Sequence, residues 1–212
     1  MCMYTGEMGP DPSTLEGKRE TMFTRGMKNR QAGFTLVEIA IVMVIIGLLI
    51  GGVLKGQAMV QNAKVKRVVK QADEIRAAVM SFYDKYGVYP GDENLAPVPP
   101  GADAEGDGDG QIDNNAERFE VYRDLQRAEL ISGNYNGTSD LPKHAFGDDM
   151  VLVWVDPGPG EAKHYFEFFN LPAEVCLEID MKYDDGAVGT GSILGSEPYT
   201  PGNTVGTFYM LF

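Results

Sequence analysis

A run of acidic and amide side chains near the middle of the chain has the spacing of a divalent-cation loop. The segment reads EGDGDGQIDNNAE over residues 105–117, so side-chain oxygens occupy every second position of its first half. Alternating oxygens can converge on one hard ion, Gly110 permits a sharp turn, and Ile112 can anchor the loop in a core. The pattern predicts a structural Ca2+ site with six candidate ligands: Glu105, Asp107, Asp109, Gln111, Asp113 and Glu117.

The agreement of this segment with an EF-hand loop is incomplete. Glu117 lies one residue later than the bidentate glutamate of such a loop, and no helix is evident before the segment. A solvated turn of glycine and aspartate is therefore the alternative to a Ca2+ site.

A second acidic segment, IDMKYDDG, occurs closer to the carboxy terminus. It places Asp180, Asp184 and Asp185 within six residues of one another. Three carboxylates can hold a second cation, but the favoured interpretation is a turn built on Asp and Gly.

The remaining reactive side chains do not form a catalytic pattern. His144 and His164 lie far apart, each beside a lysine, and have no metal-ligand spacing, so we expect surface or strand residues. Cys176 lies beside Val175 and Ile179 on a predicted helix face, which indicates a buried, inert thiol. The sequence therefore predicts no enzyme activity.

The longest apolar stretch begins at Gly33, ends at Leu54 and contains one charged residue, Glu38. About twenty apolar residues in a helix span the roughly 30 Å hydrocarbon core of a bilayer. The stretch has no polar face, so it predicts a membrane-spanning helix. An ionised carboxylate in lipid needs a partner. Cleavage between Gly33 and Phe34 would create one, because the new amine of Phe34 lies one helical turn from Glu38.

The segment from Met27 to Gly33, followed by Phe34-Thr-Leu-Val-Glu38, resembles the processing signal of type IV prepilins and of type II secretion pseudopilins. The resemblance implies that a membrane-embedded peptidase cuts after Gly33 and that Phe34 becomes an N-methylated amino terminus. It also implies that Glu38 meets the Phe34 amine of a neighbouring subunit during filament assembly. An ordinary signal anchor with a chance glutamate is the alternative.

Residues 1–33 are expected to be a leader that is removed on processing. Residues 1–26 have no periodic apolar face, and Met27 opens a leader of the family's usual length, so we expect the true start at Met27. A genuine long leader is the alternative. Three basic residues, Arg25, Lys28 and Arg30, precede the apolar stretch. By the positive-inside rule, we expect them to hold the leader in the cytoplasm.

The charge and cysteine content of the remaining chain restrict its partners and its stabilisation. The full sequence has a formal net charge of −13, and residues 1–33 carry five Lys/Arg against four Asp/Glu, so the part from Phe34 is at about −14. This charge does not suit nucleic acid. Cys176 is the only cysteine after the leader, so no intrachain disulfide is possible after processing. We expect Ca2+ in the acidic loops to stabilise the head instead.

Apolar residues recur at three- and four-residue intervals after the membrane segment, which predicts that the helix continues in amphipathic form. We expect a membrane and filament-core helix over residues 34–54, an amphipathic half over residues 55–86 and an extracytoplasmic head over residues 87–212. The residues expected on the buried face are Val60, Val65, Val68, Val69, Ala72, Ile75, Val79, Phe82, Tyr83 and Tyr86.

The head is expected to be small and mixed in secondary structure. The patterns predict a helix over residues 115–131, a hairpin of strands 151–155 and 164–169, and a closing strand over residues 204–212. A short helix over residues 170–179 is expected to be capped by Asn170. The expected fold is therefore α+β, a pilin fold in which one long amino-terminal helix packs on a small antiparallel β-sheet with acidic loops.

These features predict a structural subunit of a type IV pilus or pilus-like filament. The expected partners are other pilin subunits, a prepilin peptidase and methylase, an inner-membrane assembly platform and, before assembly, the membrane. We expect a single-pass bacterial inner-membrane protein with its head outside the cytoplasm, which then enters a surface pilus or a periplasmic pseudopilus. A type II secretion pseudopilin is the close alternative, and a membrane-anchored calcium-dependent adhesin is the more distant one.

Overall fold

The computed structural model describes residues 33–101, 106–158 and 160–212. The predicted start at Met27, the leader before Gly33 and the candidate ligand Glu105 lie outside these residues. The helices and strands, in chain order, are α1 Leu36–Tyr86, α2 Asn115–Arg127, β1 Met150–Val155, β2 Lys163–Pro172, α3 Ala173–Tyr183, β3 Ile193–Gly195 and β4 Thr204–Leu211. The predicted α+β class is confirmed. The chain forms two compact units that divide between Gly47 and Leu48.

The first part of α1 has the composition of a membrane helix. All side chains from Gly33 to Lys64 are exposed, including the large aliphatic ones. Among the described residues, α1 is the one helix long and apolar enough to cross a membrane. This exposed aliphatic surface requires an apolar environment, which a bilayer or a bundle of similar helices can supply.

Burial of α1 begins at Val65 and follows one helical face. The buried side chains are Val65, Val68, Val69, Ala72, Ile75, Ala78, Val79 and Phe82. The expected buried face was wrong at Val60 and Tyr83, which are 58% and 42% exposed. Val60 precedes the first residue that the rest of the chain covers, and Tyr83 stacks at the surface on Tyr89 with 4.9 Å between ring centroids.

The strands form one antiparallel sheet in the order β1-β2-β4-β3. The predicted hairpin and the predicted closing strand are both present, as β1 with β2 and as β4. The inner face of the sheet, α2, α3 and the buried face of α1 share one hydrophobic core that includes Phe166, Phe168 and Phe208. Arg76 of α1 donates a hydrogen bond to the Leu211 carbonyl at 2.9 Å, so a polar contact also joins α1 to β4.

The prediction for the helix after β2 was wrong in its position. β2 continues to Pro172, which pairs with Thr204, so residues 170–172 are strand and α3 begins at Ala173. Asn170 has a φ of 52° and is not the helix cap. The register with β4 determines this boundary, and α3 then extends to Tyr183. The helix predicted at 115–131 also ends earlier, at Arg127, where the Ala128 N–H caps it.

His164 is buried in an aromatic cluster at one end of β2. Its ring centroid lies 4.9 Å from those of Trp154 and Tyr89 and 6.0 Å from that of Phe212. Burial lowers the pKa of His164 to about 4. Among the described residues, its Nε2 has no hydrogen-bond partner. His144, expected at the surface or in a strand, is also buried but lies outside the named strands, and its Nε2 lies 2.8 Å from the Phe169 carbonyl oxygen.

The environment of His164 predicts an acid sensitivity that one substitution removes. Because the folded state lowers the pKa of His164 below the unfolded value of about 6.5, its contribution opposes folding increasingly as the pH falls from about 6.5 to 4. We expect His164→Phe to flatten the decline in melting temperature between pH 7 and 4.5. Thermal unfolding of a soluble form beginning at Gln57, with a chelator present, measures this. Equal slopes in both proteins would contradict the assignment.

Candidate functional site

The first turn of α1 is closed by reciprocal hydrogen bonds between Thr35 and Glu38. The Thr35 N–H and hydroxyl donate to Glu38 Oε2 at 2.8 and 2.9 Å, and the Glu38 N–H lies 3.2 Å from the Thr35 hydroxyl oxygen, to which it donates. This is a capping box, in which the side chain before the helix and the acidic side chain three residues later satisfy each other's backbone. Thr35 was not among the residues predicted from the sequence, although T-x-x-E before an apolar run is the signature of a capping box.

The capping box gives Glu38 donors from its own chain. A carboxylate at the start of an apolar helix is costly to desolvate without donors, and Thr35 supplies two. Gly33 and Phe34 precede the turn, and the Phe34 side chain is 83% exposed. Phe34, Glu38 and Ile39 lie on one open apolar surface. The structure therefore brings the predicted processing and assembly residues together at one helix end.

Asp92, which was not predicted as a site residue, lies at the centre of the contacts that hold the acidic loop. Its Oδ1 accepts from the N–H groups of Gly108 and Asp109 at 2.9 and 3.2 Å, and its Oδ2 accepts from that of Gly110 at 2.8 Å. Gly106 makes the approach possible, because a Cβ there would collide with the Asp92 backbone. Asp92 is 15 residues before Asp107, so no local pattern connects them.

The structure brings two of the predicted ligands together with Asp92. One carboxylate oxygen from each of Asp92, Asp107 and Asp109 lies within 4.8 Å of the others. Gln111 lies beside them, but its side-chain amide donates to Asp109 Oδ2 at 2.8 Å. Asp113 is exposed, and its N–H donates to Glu117 Oε2.

Glu117 belongs to the start of α2. Its Oε2 accepts from the N–H groups of Asp113 and Asn114, while the Asn114 side chain accepts from the Glu117 N–H, so the pair forms a second capping box. Its Oε1 is buried and has no hydrogen-bond partner among the described residues. An ionised oxygen in this state is costly unless a cation or a proton neutralises it.

The electrostatics of the loop favour a hard cation. Burial raises the pKa of Asp92, and the charges of Asp109 and Asp107 raise it further. Burial also raises the pKa of Glu117, to which the charge of Asp92 contributes. The three clustered carboxylates fit the oxygen-only ligand preference of Ca2+, and Glu117 lies outside their cluster.

In the second acidic segment, all three carboxylates hold the following loop. Asp180 accepts from the Gly186 N–H and the Tyr199 hydroxyl, and Asp184 accepts from the N–H groups of Ser192 and Ile193. Asp185 accepts from the Ala187 N–H and the Thr190 hydroxyl. Oxygens of Asp180, Asp184 and Asp185 also lie within 4.8 Å of one another. These contacts are those of a turn, which is the interpretation that the sequence favoured. A second cation at these carboxylates stays a prediction.

Cys176 lies on the face of α3 that packs against the core and is buried, as the sequence predicted. Burial raises the pKa of its thiol to about 12. The thiolate, which is the reactive form, is therefore scarce at neutral pH.

Comparisons with known proteins agree with the amino-terminal motif. A family model described as the prokaryotic N-terminal methylation motif matches residues 28–54. A fimbrial protein of Neisseria meningitidis serogroup B (strain ATCC BAA-335 / MC58) is 29% identical over 111 residues, which are 52% of this chain and 61% of that protein. The type IV major pilin protein PilE of Neisseria gonorrhoeae is 32% identical over 81 residues, which are 38% of this chain and 48% of that protein.

The predicted resemblance to type IV pilins is confirmed by the motif match and these relatives. The chain spans 61% and 48% of the lengths of the two relatives. No solved structure matches the chain.

The contacts of Asp184 predict a loss of stability that is independent of metal. Asp184→Ala leaves the N–H groups of Ser192 and Ile193 without their acceptor, which costs about 1–3 kcal/mol per unsatisfied buried group. We expect a melting temperature several degrees lower, by the same amount in Ca2+ and in chelator. Glu178→Ala, which removes an exposed carboxylate from α3, is the matched control and should change little. A loss confined to Ca2+-containing buffer would indicate a cation site instead.

Proposed function

We propose that this chain, which carries the N-terminal methylation motif and resembles type IV pilins, is a structural subunit of a type IV pilus or a related filament. The observation that carries the proposal is the exposed apolar start of α1 with Glu38 in its first turn. An aliphatic helix surface of this extent needs a bilayer before assembly and neighbouring helices afterwards.

Processing after Gly33 is the proposed step that makes the chain competent for assembly. A membrane-embedded prepilin peptidase removes the leader, and methylation follows on the new amine of Phe34. The leader remains in the cytoplasm, and the head from residue 87 lies outside it. The chain is then a single-pass inner-membrane protein until an assembly platform moves it into the filament.

Assembly is proposed to give Glu38 an ionic partner in addition to its donors from Thr35. In the single chain, the Thr35 hydroxyl and N–H donate to its carboxylate. In the filament, the charged amine of a neighbour's Phe34 adds an ionic partner in a low-dielectric environment, where an unpaired charge is most costly. The helix that loses lipid contacts on extraction regains apolar contacts from neighbouring helices.

A pseudopilin of a type II secretion system is the second candidate. It uses the same amino-terminal apparatus, and the single cysteine after the leader favours it, because many type IV pilins staple the carboxy-terminal region with a disulfide. The names of the relatives favour the pilus subunit.

A structural Ca2+ ion in the acidic loop is part of the proposal. Asp92, Asp107 and Asp109 would hold it. Glu117 lies outside this cluster, but its Oε1 is buried without a hydrogen-bond partner among the described residues, and the charge of Asp92 acts on it. The ion would neutralise carboxylates that the loop holds close together, and so keep the loop ordered when all of them are ionised.

The filament itself provides the test of the proposed function. Mass spectrometry of filaments sheared from cells should identify this chain with methylated Phe34 as its amino terminus. Glu38→Ala should reach the membrane at the normal level but reduce the filament yield at least tenfold, because the amine of the neighbour loses its counterion. Glu178→Ala is the control and should assemble normally. Normal filament yield from Glu38→Ala would contradict the pairing.

The location of a processed wild-type chain separates the two candidates. A chain cleaved at Gly33 that remains in the envelope fraction would support the pseudopilin. An uncleaved chain would contradict both.

If Ca2+ binds at this site, it should stabilise the folded head, and this stabilisation should weaken as the pH falls. At about 100 times its dissociation constant, Ca2+ should stabilise a soluble form beginning at Gln57 by about 2.7 kcal/mol. The raised pKa values of Asp92 and Glu117 mean that these groups take up protons before ordinary carboxylates as the pH falls, so protons displace Ca2+. The Ca2+-dependent rise in melting temperature should therefore shrink from pH 7.5 to pH 5.

Two variants test the location of the ion. Asp92→Asn should abolish the Ca2+-dependent rise, and Asp113→Asn, which changes an exposed carboxylate in the same segment, should retain it. An unchanged melting curve on adding Ca2+ to the parent protein would exclude the site.

A further inference from the structure

The part of α1 that follows the apolar stretch is strongly basic. Residues 55–72, which we call the basic segment, contain five Lys/Arg and no Asp/Glu. The basic residues are Lys55, Lys64, Lys66, Arg67 and Lys70, and all five are exposed. This gives the segment a net charge of +5 in a chain whose total is −13.

Apart from Lys64, which lies over the Phe146 ring, the cations of the basic segment are exposed and lie off the buried face of α1. Val65, Val68 and Val69 are the buried positions, and Lys66 and Lys70 lie roughly 100° or more around the helix from Val65. Lys70 forms an exposed pair with Glu74 at 3.0 Å, the kind of i,i+4 pair that contributes only about 0.3–0.5 kcal/mol. Among the described residues, Lys55, Lys66 and Arg67 form no ion pair.

The head carries the opposite charge in excess. Residues 87–212 contain 23 Asp/Glu and six Lys/Arg, a net charge of −17. One group of exposed carboxylates, which we call the acidic end, lies in the loop before α2 and in the turn between β1 and β2. It consists of Asp113, Asp156 and Glu161, which lie outside the proposed Ca2+ cluster.

Contacts along α1 place the acidic end far from the basic segment. Near the basic segment, Lys64 lies over the Phe146 ring and Gln71 donates to the Lys143 carbonyl. Near the other end of α1, the Tyr83 ring packs on Tyr89, which packs on His164 at the start of β2.

The acidic end lies beside the Tyr83 end of α1. The Trp154 ring packs on His164, and the Trp154 backbone N–H donates to the carbonyl of Ile112, the residue before Asp113. The 13 residues from Lys70 to Tyr83 correspond to roughly 20 Å of helix. The two charged surfaces therefore do not neutralise each other within one copy.

We propose that the basic segment is the docking surface for the acidic end of a second copy of this chain, displaced along the direction of α1. The inference rests on the proposed filament function. A contact between two different surfaces of identical subunits does not close on itself and extends into a helical filament. Complementary charges favour this register and speed correct encounter. Copies aligned without displacement would place like charges side by side.

A second copy fits the basic segment better than anionic lipid does. The head next to the segment carries −17 and would be repelled by a negatively charged membrane surface. The same head offers an excess of carboxylates to the basic segment of another copy.

The experiment uses the full chain in cells that assemble its filaments. Lys66→Glu combined with Arg67→Glu should lower the filament yield at least tenfold without changing the amount of processed chain in the membrane. Asp156→Arg combined with Glu161→Arg should have a similar effect. All four substitutions together should recover at least a third of the parent yield, because the reversed surfaces are again complementary. Lys182→Glu, an exposed charge reversal on α3, is the control and should assemble normally.

The outcomes separate this inference from the proposed function. Parent filaments with methylated Phe34, together with loss and recovery as described, support both. Normal assembly of Lys66→Glu/Arg67→Glu overturns the inference and leaves the proposed function intact. Losses that the fourfold variant does not recover also overturn it, because a lipid partner cannot be restored by changes in the head. Failure of the parent chain to enter any filament overturns the proposed function and this inference together.

Discussion

The structure depends on a change in the environment of the α1 side chains between Leu54 and Val65. Before this change every side chain from Gly33 onward is exposed and most are aliphatic, and after it one helical face is buried in the core. A polypeptide in one regular helix can serve two solvents in this way because its backbone hydrogen bonds are internal throughout. The side chains alone then decide which part enters an apolar environment and which part organises the head.

Within the head, carboxylates that accept from backbone N–H groups hold the loops. Asp92 binds the amides of the loop at 108–110, Asp124 binds that of Gly91 at 2.7 Å, and Asp184 binds those of Ser192 and Ile193. The contacts of Asp92 and Asp124 connect segments 16 to 33 residues apart, and that of Asp184 closes a loop of eight or nine residues. Each is a charge-assisted hydrogen bond, which is stronger than a neutral one. The acidic composition of the head therefore has a structural role beyond solubility. It also concentrates negative charge, which an ion or another copy of the chain can offset.

The elements predicted correctly from the sequence are those with a local, repeated signal. The three- and four-residue spacing located the buried face of α1, and β-branched and aromatic runs located β1, β2 and β4. The sequence failed where tertiary pairing decided the outcome. The start of α3 depends on the pairing of Pro172 with Thr204, which no window around Asn170 contains.

The residues of the candidate sites also fall into those that a local sequence pattern predicts and those that only the fold brings into place. Gly33, Phe34 and Glu38 form a contiguous motif, and Asp107 and Asp109 follow a loop pattern that is visible in the sequence. Asp92 joins them only through the fold, and Glu117 is oriented by its role as a helix cap. Alternation of oxygens along a segment indicates which side chains can converge, but hydrogen bonds to the backbone decide which ones do.

The buried thiol of Cys176 has a consequence for how the head is made. It is the only cysteine after residue 33, it is fully enclosed, and its high pKa keeps it protonated. The carboxylate contacts form as soon as the chain folds, and none of them needs an oxidant. The head therefore folds without a disulfide between two of its own cysteines, and the hydrogen bonds that hold its loops involve no group that changes with the redox state of the surroundings.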